Sequence, residues 1–182
     1  MKTILKALLL LIALSAVPVF AQSDFEATKA RAVAGDVQAQ WSLGVMYDIG
    51  EGVVQDDVES AKWHRLAAEQ GNANSQFILG AMYKDGEGVA QNYQEAVKWY
   101  RLAAEQGDAL AQFFLGAMYG EGRGVTQSYA TAYLWFSVAV AGGETYASAH
   151  RDNASAQLSP QAFEEAKAKA TRCFESNFKD CD

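Results

Sequence analysis

The chain has 182 residues, half of them apolar, with 15 Lys and Arg against 22 Asp and Glu and a formal net charge of −7. That length fits one domain of ordinary size. The acidic balance lacks the basic footprint of a nucleic-acid binder, disfavours anionic membranes, and mildly favours basic partners.

Met1 to Ala21 reads as a secretory signal peptide. Lys2 and Lys6 make a basic start, Ala7 to Phe20 is an apolar run, and Val19-Phe20-Ala21 is a small-residue cleavage site that would leave Gln22 first. About 14 apolar residues are too few to span a bilayer, which needs roughly 20. Cleavage removes two lysines and leaves 13 basic against 22 acidic residues, a net charge of −9. No Cys follows the junction to carry a lipid. Cys173 and Cys181 are the two cysteines, and in an exported chain an even count suggests a disulfide that clips the C-terminal tail.

From Asp24 on, a 36-residue period governs the chain. Gly35, Gly71, Gly107 and Gly143 are evenly spaced, and so are Trp63, Trp99 and Trp135. A fixed period in this range means stacked supersecondary units. Residues 22–34 read as an N-terminal capping helix over Asp24 to Ala34, because it matches the second half of a repeat with the first half missing. Three full repeats follow at 35–70, 71–106 and 107–142, the first two sharing 20 of 36 positions. In the first repeat, Ala39, Leu43, Met46 and Tyr47 recur at helical spacing and predict a helix from about Val37 to Ile49. Gly50 suits the left-handed position that ends a helix, and Gly52 lets the chain turn. Asp56 and Glu59 predict a reciprocal capping box ahead of a second helix, about Asp57 to Gln70, that buries Ala61, Trp63, Leu66 and Ala67 in part. Asn92 and Glu95 repeat the box.

The third repeat departs in its second helix. Tyr129 to Ala141 is apolar nearly all round and should be covered on more sides than its equivalents. Residues 143–182 read as C-terminal capping helices and tail: Thr145 to Gln157 at the position of a fourth first-helix, then about Pro160 to Phe178, opened by Ser159 as N-cap and Pro160 at N1. Phe163, Ala166, Ala170, Cys173, Phe174 and Phe178 make its apolar stripe.

The pattern Ala-x-x-x-Leu-Gly-x-x-Tyr-x-x-Gly-x-Gly-Val, then Ala-x-x-Trp-x-x-x-Ala-Ala-x-x-Gly, resembles the Sel1-like repeat, a relative of the tetratricopeptide repeat with a slightly longer unit. The resemblance covers Asp24 to about Gly143, and the Arg151-Asp152 and Leu158-Ser-Pro160 segment also looks like the terminal cap of exported members. It implies an all-α fold, a right-handed α-solenoid of helix pairs that holds other proteins. Carried over from tetratricopeptide geometry, the concave surface should be lined by Gln38, Trp41, Val45 and Asp48, with Ile49, in repeat 1. In repeat 2 the equivalents are Asn74, Phe77 and Lys84, with Ala81 and Asp85, and in repeat 3 Leu110, Phe113 and Glu121, with Ala117 and Gly120. Trp41, Phe77 and Phe113 form an aromatic row at the repeat spacing. The row reads either as packing between repeats or as an anchor for a bound segment. Positions that differ between copies, such as Asp48, Lys84 and Gly120, are better placed to set specificity.

No catalytic, cofactor or metal constellation stands out. His64 and His150 belong to different repeats, and His64 occupies the place of Tyr100 and Phe136, so it reads as a packing variant. Asp56, Asp57 and Glu59 have a sufficient role at a helix start. The Gly-x-Gly turns follow helices rather than strands and so do not read as phosphate loops. Cysteine-rich Sel1-like proteins linked to β-lactam chemistry carry a disulfide in each repeat, and this chain has none there. The expectation is a monomeric, non-catalytic scaffold of the periplasm with a protein or peptide partner. A secreted host-interaction or adhesion factor is the alternative, and a β-lactam- or peptidoglycan-related enzyme the remote one.

Overall fold

The computed structural model describes residues 19–181, with side chains from Asp24 onward. Of the expected leader, Met1 to Pro18 lies outside the described residues, and Val19 to Ala21 open the first helix. Among the described residues there are nine helices and no strand. They are α1 Val19–Val33, α2 Val37–Ile49, α3 Asp57–Glu69, α4 Ala73–Asp85, α5 Tyr93–Ala104, α6 Ala109–Glu121, α7 Tyr129–Ala141, α8 Ala147–Ser155 and α9 Pro160–Glu175. Consecutive helices pack in antiparallel succession and stack into an α-solenoid, with α9 laid against α7.

Each pair is punctuated in the same way. Gly50, Gly86 and Gly122 take left-handed φ values of 72°, 79° and 68° and return their N–H to Met46, Met82 and Met118. The chain then comes back so that the N–H of Asp56, Asn92 and Ser128 donates to the carbonyl of Tyr47, Tyr83 and Tyr119. The second glycine of the turn serves the neighbouring repeat. A Cβ at Gly88 would lie 2.0 Å from the Asp57 carbonyl oxygen, and one at Gly124 2.3 Å from that of Tyr93. The turn of one repeat therefore rests on the start of the second helix of the repeat before it.

The capping boxes form only by half. Asp56 Oδ1 accepts from the N–H of Val58 and Glu59 at 3.0 Å, but Glu59 turns outward to Lys62, 2.5 Å away. Glu95 does the same with Lys98 at 3.4 Å. The reason lies in the N–H that Glu59 would have served, which is already given to Tyr47. The first helices carry caps as well. Asp36, Asn72 and Asp108 accept from Ala39, Ser75 and Ala111 N–H at 2.9, 2.8 and 2.7 Å. An aspartate or asparagine directly after each boundary glycine is the sequence signal for these caps.

Small glycines let the two helices of a pair approach. A Cβ at Gly44 would meet the His64 ring at 2.8 Å, at Gly80 the Tyr100 ring at 2.7 Å, and at Gly116 the Phe136 ring at 2.9 Å. The core runs along the stack through Leu43, Leu79 and Leu115, all fully buried. The all-apolar α7 is covered by α6, α8 and α9 and buries Tyr133, Leu134, Trp135, Phe136 and Val138.

Several expected limits shift. The first helix begins at Val19, upstream of Asp24, because Val19 to Ser23 contains no Gly or Pro to stop it. The eighth helix is shorter than the expected Thr145 to Gln157, and the ninth ends at Glu175 instead of Phe178. Asn177 and Phe178 adopt left-handed φ values of 54° and 65°, and Phe178 returns its N–H to Cys173. This reversal takes Phe178 off the helix stripe and sets its ring over Gly107, where a Cβ would approach to 2.9 Å. Phe174 is 47% exposed and leaves the stripe too. Leu66, expected to be partly buried, is 43% exposed. Cys173 and Cys181 are bonded, closing an eight-residue step around this reversal.

Candidate interaction surface

The first helices α2, α4 and α6, with α8 in register behind them, supply the expected surface. Its residues divide into two groups. Gln38, Asp48, Asn74, Leu110 and Glu121 are exposed, together with Ile49 and Asp85. Trp41, Val45, Phe77, Lys84 and Phe113 are half-buried, as are Ala81, Ala117 and Gly120.

The half-burial of the aromatic row has a repeating cause. Phe77 contacts Tyr100 of its own repeat and Phe114 of the next, each at 5.9 Å between ring centres, while Tyr100 and Phe114 stack at 5.5 Å. Thirty-six residues on, Phe113 contacts Phe136 at 5.6 Å and His150 at 5.2 Å, and Phe136 contacts His150 at 5.4 Å. Each trio joins the two helices of one repeat to the first helix of the next. In the first repeat the same positions hold Trp41, His64 and Ile78. His150 thus closes the series, and α8 is a fourth first-helix in register although the Leu-Gly-x-x-Tyr signature is gone.

His64 is fully buried beneath Gly44 and meets Ser75 Oγ through Nδ1 at 3.3 Å; its Nε2 has no partner. Burial drives its pKa down from 6.5 to about 4, so the ring is neutral. Tyr100, at the equivalent site, has a buried hydroxyl without a partner, and burial pushes its pKa upward, with Asp85 adding to the effect. Neither ring faces a carboxylate and nucleophile in a catalytic arrangement. Among the described residues no group of three His, Cys, Asp or Glu is placed to hold a metal ion, and no helix is long and apolar enough to cross a membrane.

Two ladders bind the repeats laterally. Buried Gln40, Gln76 and Gln112 donate Nε2 to the carbonyls of Ala32, Ala68 and Ala104 at 3.2, 3.0 and 3.1 Å. Gln70 and Gln106 then donate to the Oε1 of Gln40 and Gln76, both at 2.7 Å. The third copy has Gly142 where that donor belongs, and Gln112 Oε1 is buried without a partner. Arg65 donates to Tyr83 OH at 2.6 Å, and Arg101 to Tyr119 OH one repeat later. Position 137 is serine and ends this brace.

What remains readable on the surface is therefore the variable set, exposed except at Lys84 and Gly120, which are half-buried. Down the stack, one register runs Gln38, Asn74, Leu110 and Tyr146, a second runs Asp48, Lys84 and Gly120, and a third runs Ile49, Asp85 and Glu121. Lys84 is tied to Asp85 at 2.5 Å and lies 5.8 Å from the centre of the Phe114 ring.

A family model, the Sel1 repeat, matches three consecutive units at 37–72, 73–108 and 109–144, well over half of the chain. The chain belongs to the Sel1 repeat family. Its matched units keep the 36-residue period, in a frame two residues later than the glycine-to-glycine one. Among solved structures, a Sel1 repeat protein from Oxalobacter formigenes is similar at a TM-score of 0.63 with 40% identity, covering 65% of this chain and 49% of that one. The antigen c5321, described as a protective antigen present in uropathogenic Escherichia coli strains and displaying an SLR fold, is similar at a TM-score of 0.65 with 25% identity. That match covers 85% of this chain and 42% of the other. The chain thus spans about half the length of these solved proteins. The comparison with curated proteins gives no match. Sel1 repeats are in general protein–protein interaction modules, typically non-catalytic scaffolds.

Proposed function

We propose that this Sel1 repeat protein is a non-catalytic adaptor of the bacterial cell envelope, exported to the periplasm, that holds a peptide or one element of a partner protein on the concave face of α2, α4, α6 and α8. One observation carries the reading. On the first helices the residues that recur in every copy, at the positions of Gln40, Leu43, Gly44, Met46 and Tyr47, are buried or half-buried, whereas Gln38, Asn74 and Leu110, and likewise Ile49, Asp85 and Glu121, differ between copies and are exposed on two registers. Burial explains the fixed positions of these helices, while the varied ones face solvent and at most pair on the surface, as Asp85 does with Lys84 and Glu121 with Arg123. Export rests on the basic, apolar and small-residue order of Met1 to Ala21. Three repeats make a short groove, which suits a segment better than a whole domain.

Crosslinking capture from the envelope fraction tests this, with Asp48→Lys and Leu110→Glu variants alongside the unaltered protein. Both positions are exposed, so the variants keep the fold. Loss of the captured partner in both supports the concave surface, and equal capture refutes it. A second reading, a secreted factor acting on a host, draws on the similarity to the protective antigen of uropathogenic strains. Fractionation separates the two: recovery from the culture medium alone would replace the periplasmic adaptor by the secreted factor.

A further inference from the structure

The groove is not uniform along its length. The inward positions of the first helices are smallest at the C-terminal end: Val45 and Asp48 in the first repeat and Ala81 and Lys84 in the second give way to Ala117 and Gly120 in the third. At that end a hollow of about 290 Å³ opens between α6, α7 and α8. Its floor is apolar, made by Ala117, Ala132 and the Phe136 ring, and its far wall carries the carboxamides of Asn153 on α8 and of Gln157 just past the end of that helix.

Nothing in the fold demands the hollow. Gly120 has no left-handed φ, and a Cβ there would meet only the Ala132 methyl, at an ordinary 3.6 Å. The contrast with Gly80 and Gly116, where a Cβ would strike a ring, is sharp. A side chain at position 120 would fit and would fill the space, as Lys84 does one repeat earlier. Absence of that side chain is what keeps the hollow open.

We propose that this hollow is an anchor for one aromatic side chain of the partner's bound segment, with the adjoining peptide unit held by Asn153 and Gln157. The inference rests on the concave-surface reading above and names what that surface takes. Size sets the side chain: a roughly 150 Å³ apolar cavity accepts a benzene ring, so 290 Å³ takes a ring with its methylene. The floor offers the Phe136 ring and methyl groups, which suit an aromatic face or edge. A carboxamide presents a donor and an acceptor together, which matches the C=O and N–H of one peptide unit. Neither Asn153 nor Gln157 spends these groups on the protein itself. Charge sets the rest. Glu121 is the one acidic residue on the lining and no Lys or Arg joins it; Arg123 pairs with it from outside the hollow at 2.9 Å. Such a lining turns away carboxylate and phosphate ligands and accepts neutral or cationic segments.

The test is titration of the isotope-labelled purified protein with N-acetyl-L-phenylalaninamide, followed by amide NMR shifts. N-acetyl-L-alaninamide serves as the ringless control and N-acetyl-L-phenylalanine as the anionic one. The expected result is saturable shifts at Ala117, Gly120, Asn153 and Ala154, with at least ten-fold weaker binding of both controls. Gly120→Leu should abolish the shifts, and Asn153→Ala or Gln157→Ala, on an exposed face, should each weaken binding about five-fold. Saturation elsewhere on the surface, equal shifts with the alanine compound, or binding untouched by Gly120→Leu and by both carboxamide variants would overturn the proposal. The readout needs no partner, so it stands apart from the capture experiment. A partner lost on Asp48→Lys and Leu110→Glu but kept by Gly120→Leu would preserve the concave surface and overturn the anchor.

Discussion

Acidification should weaken this solenoid at one identifiable place. His64 is buried and neutral, with a pKa lowered from 6.5 to about 4 by loss of hydration. The unfolded chain takes up a proton on this ring below pH 6.5, and the folded chain does so only near pH 4. The unfolded state thus binds more protons in that window, so stability is full above pH 6.5, falls as pH drops, and levels off below about 4. The full effect corresponds to about 3 kcal/mol, of which about 2 is reached by pH 5. The chain itself supplies the control. Where repeat 1 has His64 with Ser75, repeat 2 has Tyr100 with Ala111, and the third has Phe136 with Ala147. The double variant His64→Phe, Ser75→Ala installs the third repeat's pair, which carries no hydroxyl to strand. Urea unfolding followed by tryptophan fluorescence measures both proteins at pH 7 and pH 5. We expect the unaltered protein to lose about 2 kcal/mol, a midpoint lower by about 1 M, and the double variant to lose less than about 0.5 kcal/mol. Other groups that titrate in the window are common to both proteins and cancel. Equal losses would show that His64 is not the buried neutral base described above.

The other expectations concern the ladders and the glycines. Gly142→Gln should return a donor to Gln112 Oε1 and remove a flexible residue from the C-cap of α7, where φ is −77° and a Cβ comes to 3.1 Å from that of Ala109; we expect a gain of about 1 kcal/mol and a melting temperature higher by about 3 °C in circular dichroism. Gly80→Ala pushes a methyl against the Tyr100 ring and should cost about 2 kcal/mol in urea unfolding, whereas Gly120→Ala should not destabilise, since its Cβ meets only Ala132 at 3.6 Å. Tyr83→Phe removes the acceptor of the Arg65 hydrogen bond, with an expected loss of about 1 kcal/mol. Combined with Arg65→Ala, the two changes should cost less than their sum, because they break one contact.

The stack itself was legible in the sequence because its signals are local or strictly periodic. The glycine that ends α2, the spacing of Leu43 and Tyr47, and the small residues at 44, 80 and 116 each follow from one turn of helix or one repeat unit. Contacts that cross between repeats were harder to read. Gln40 looks like any polar residue on a helix until Gln70, thirty positions away, is seen to donate to it. The capping box failed because a backbone carbonyl, that of Tyr47, reached the N–H first, and no local pattern announces that competition. Among the surface residues, exposure of Gln38, Asn74 and Leu110 follows from helical register alone. The half-burial of Phe77 depends on Phe114, a residue outside its own repeat. The hollow beside Gly120 is not legible for a related reason: a helix at the fourth first-helix position is expected, but without the Leu-Gly-x-x-Tyr signature no pattern sets its register or shows that Asn153 and Gln157 face position 120.

The aromatic trios carry a consequence for how such a chain can change length. Each trio uses one residue from the first helix of a repeat, one from its second helix, and one from the first helix of the next. Removing residues 73–108 would join Asn72 to Ala109 and bring Trp41 and His64 of one repeat against Phe114 of another, rebuilding a complete junction from halves that never met before. Only one set of junction contacts is lost, and the two ends stay as they were. Groove length is therefore a separate variable from groove chemistry: recombination in steps of 36 residues lengthens or shortens the array while every junction keeps its positions, although Ala111 would then stand where Ser75 meets His64, and the terminal hollow travels unchanged with the last repeat.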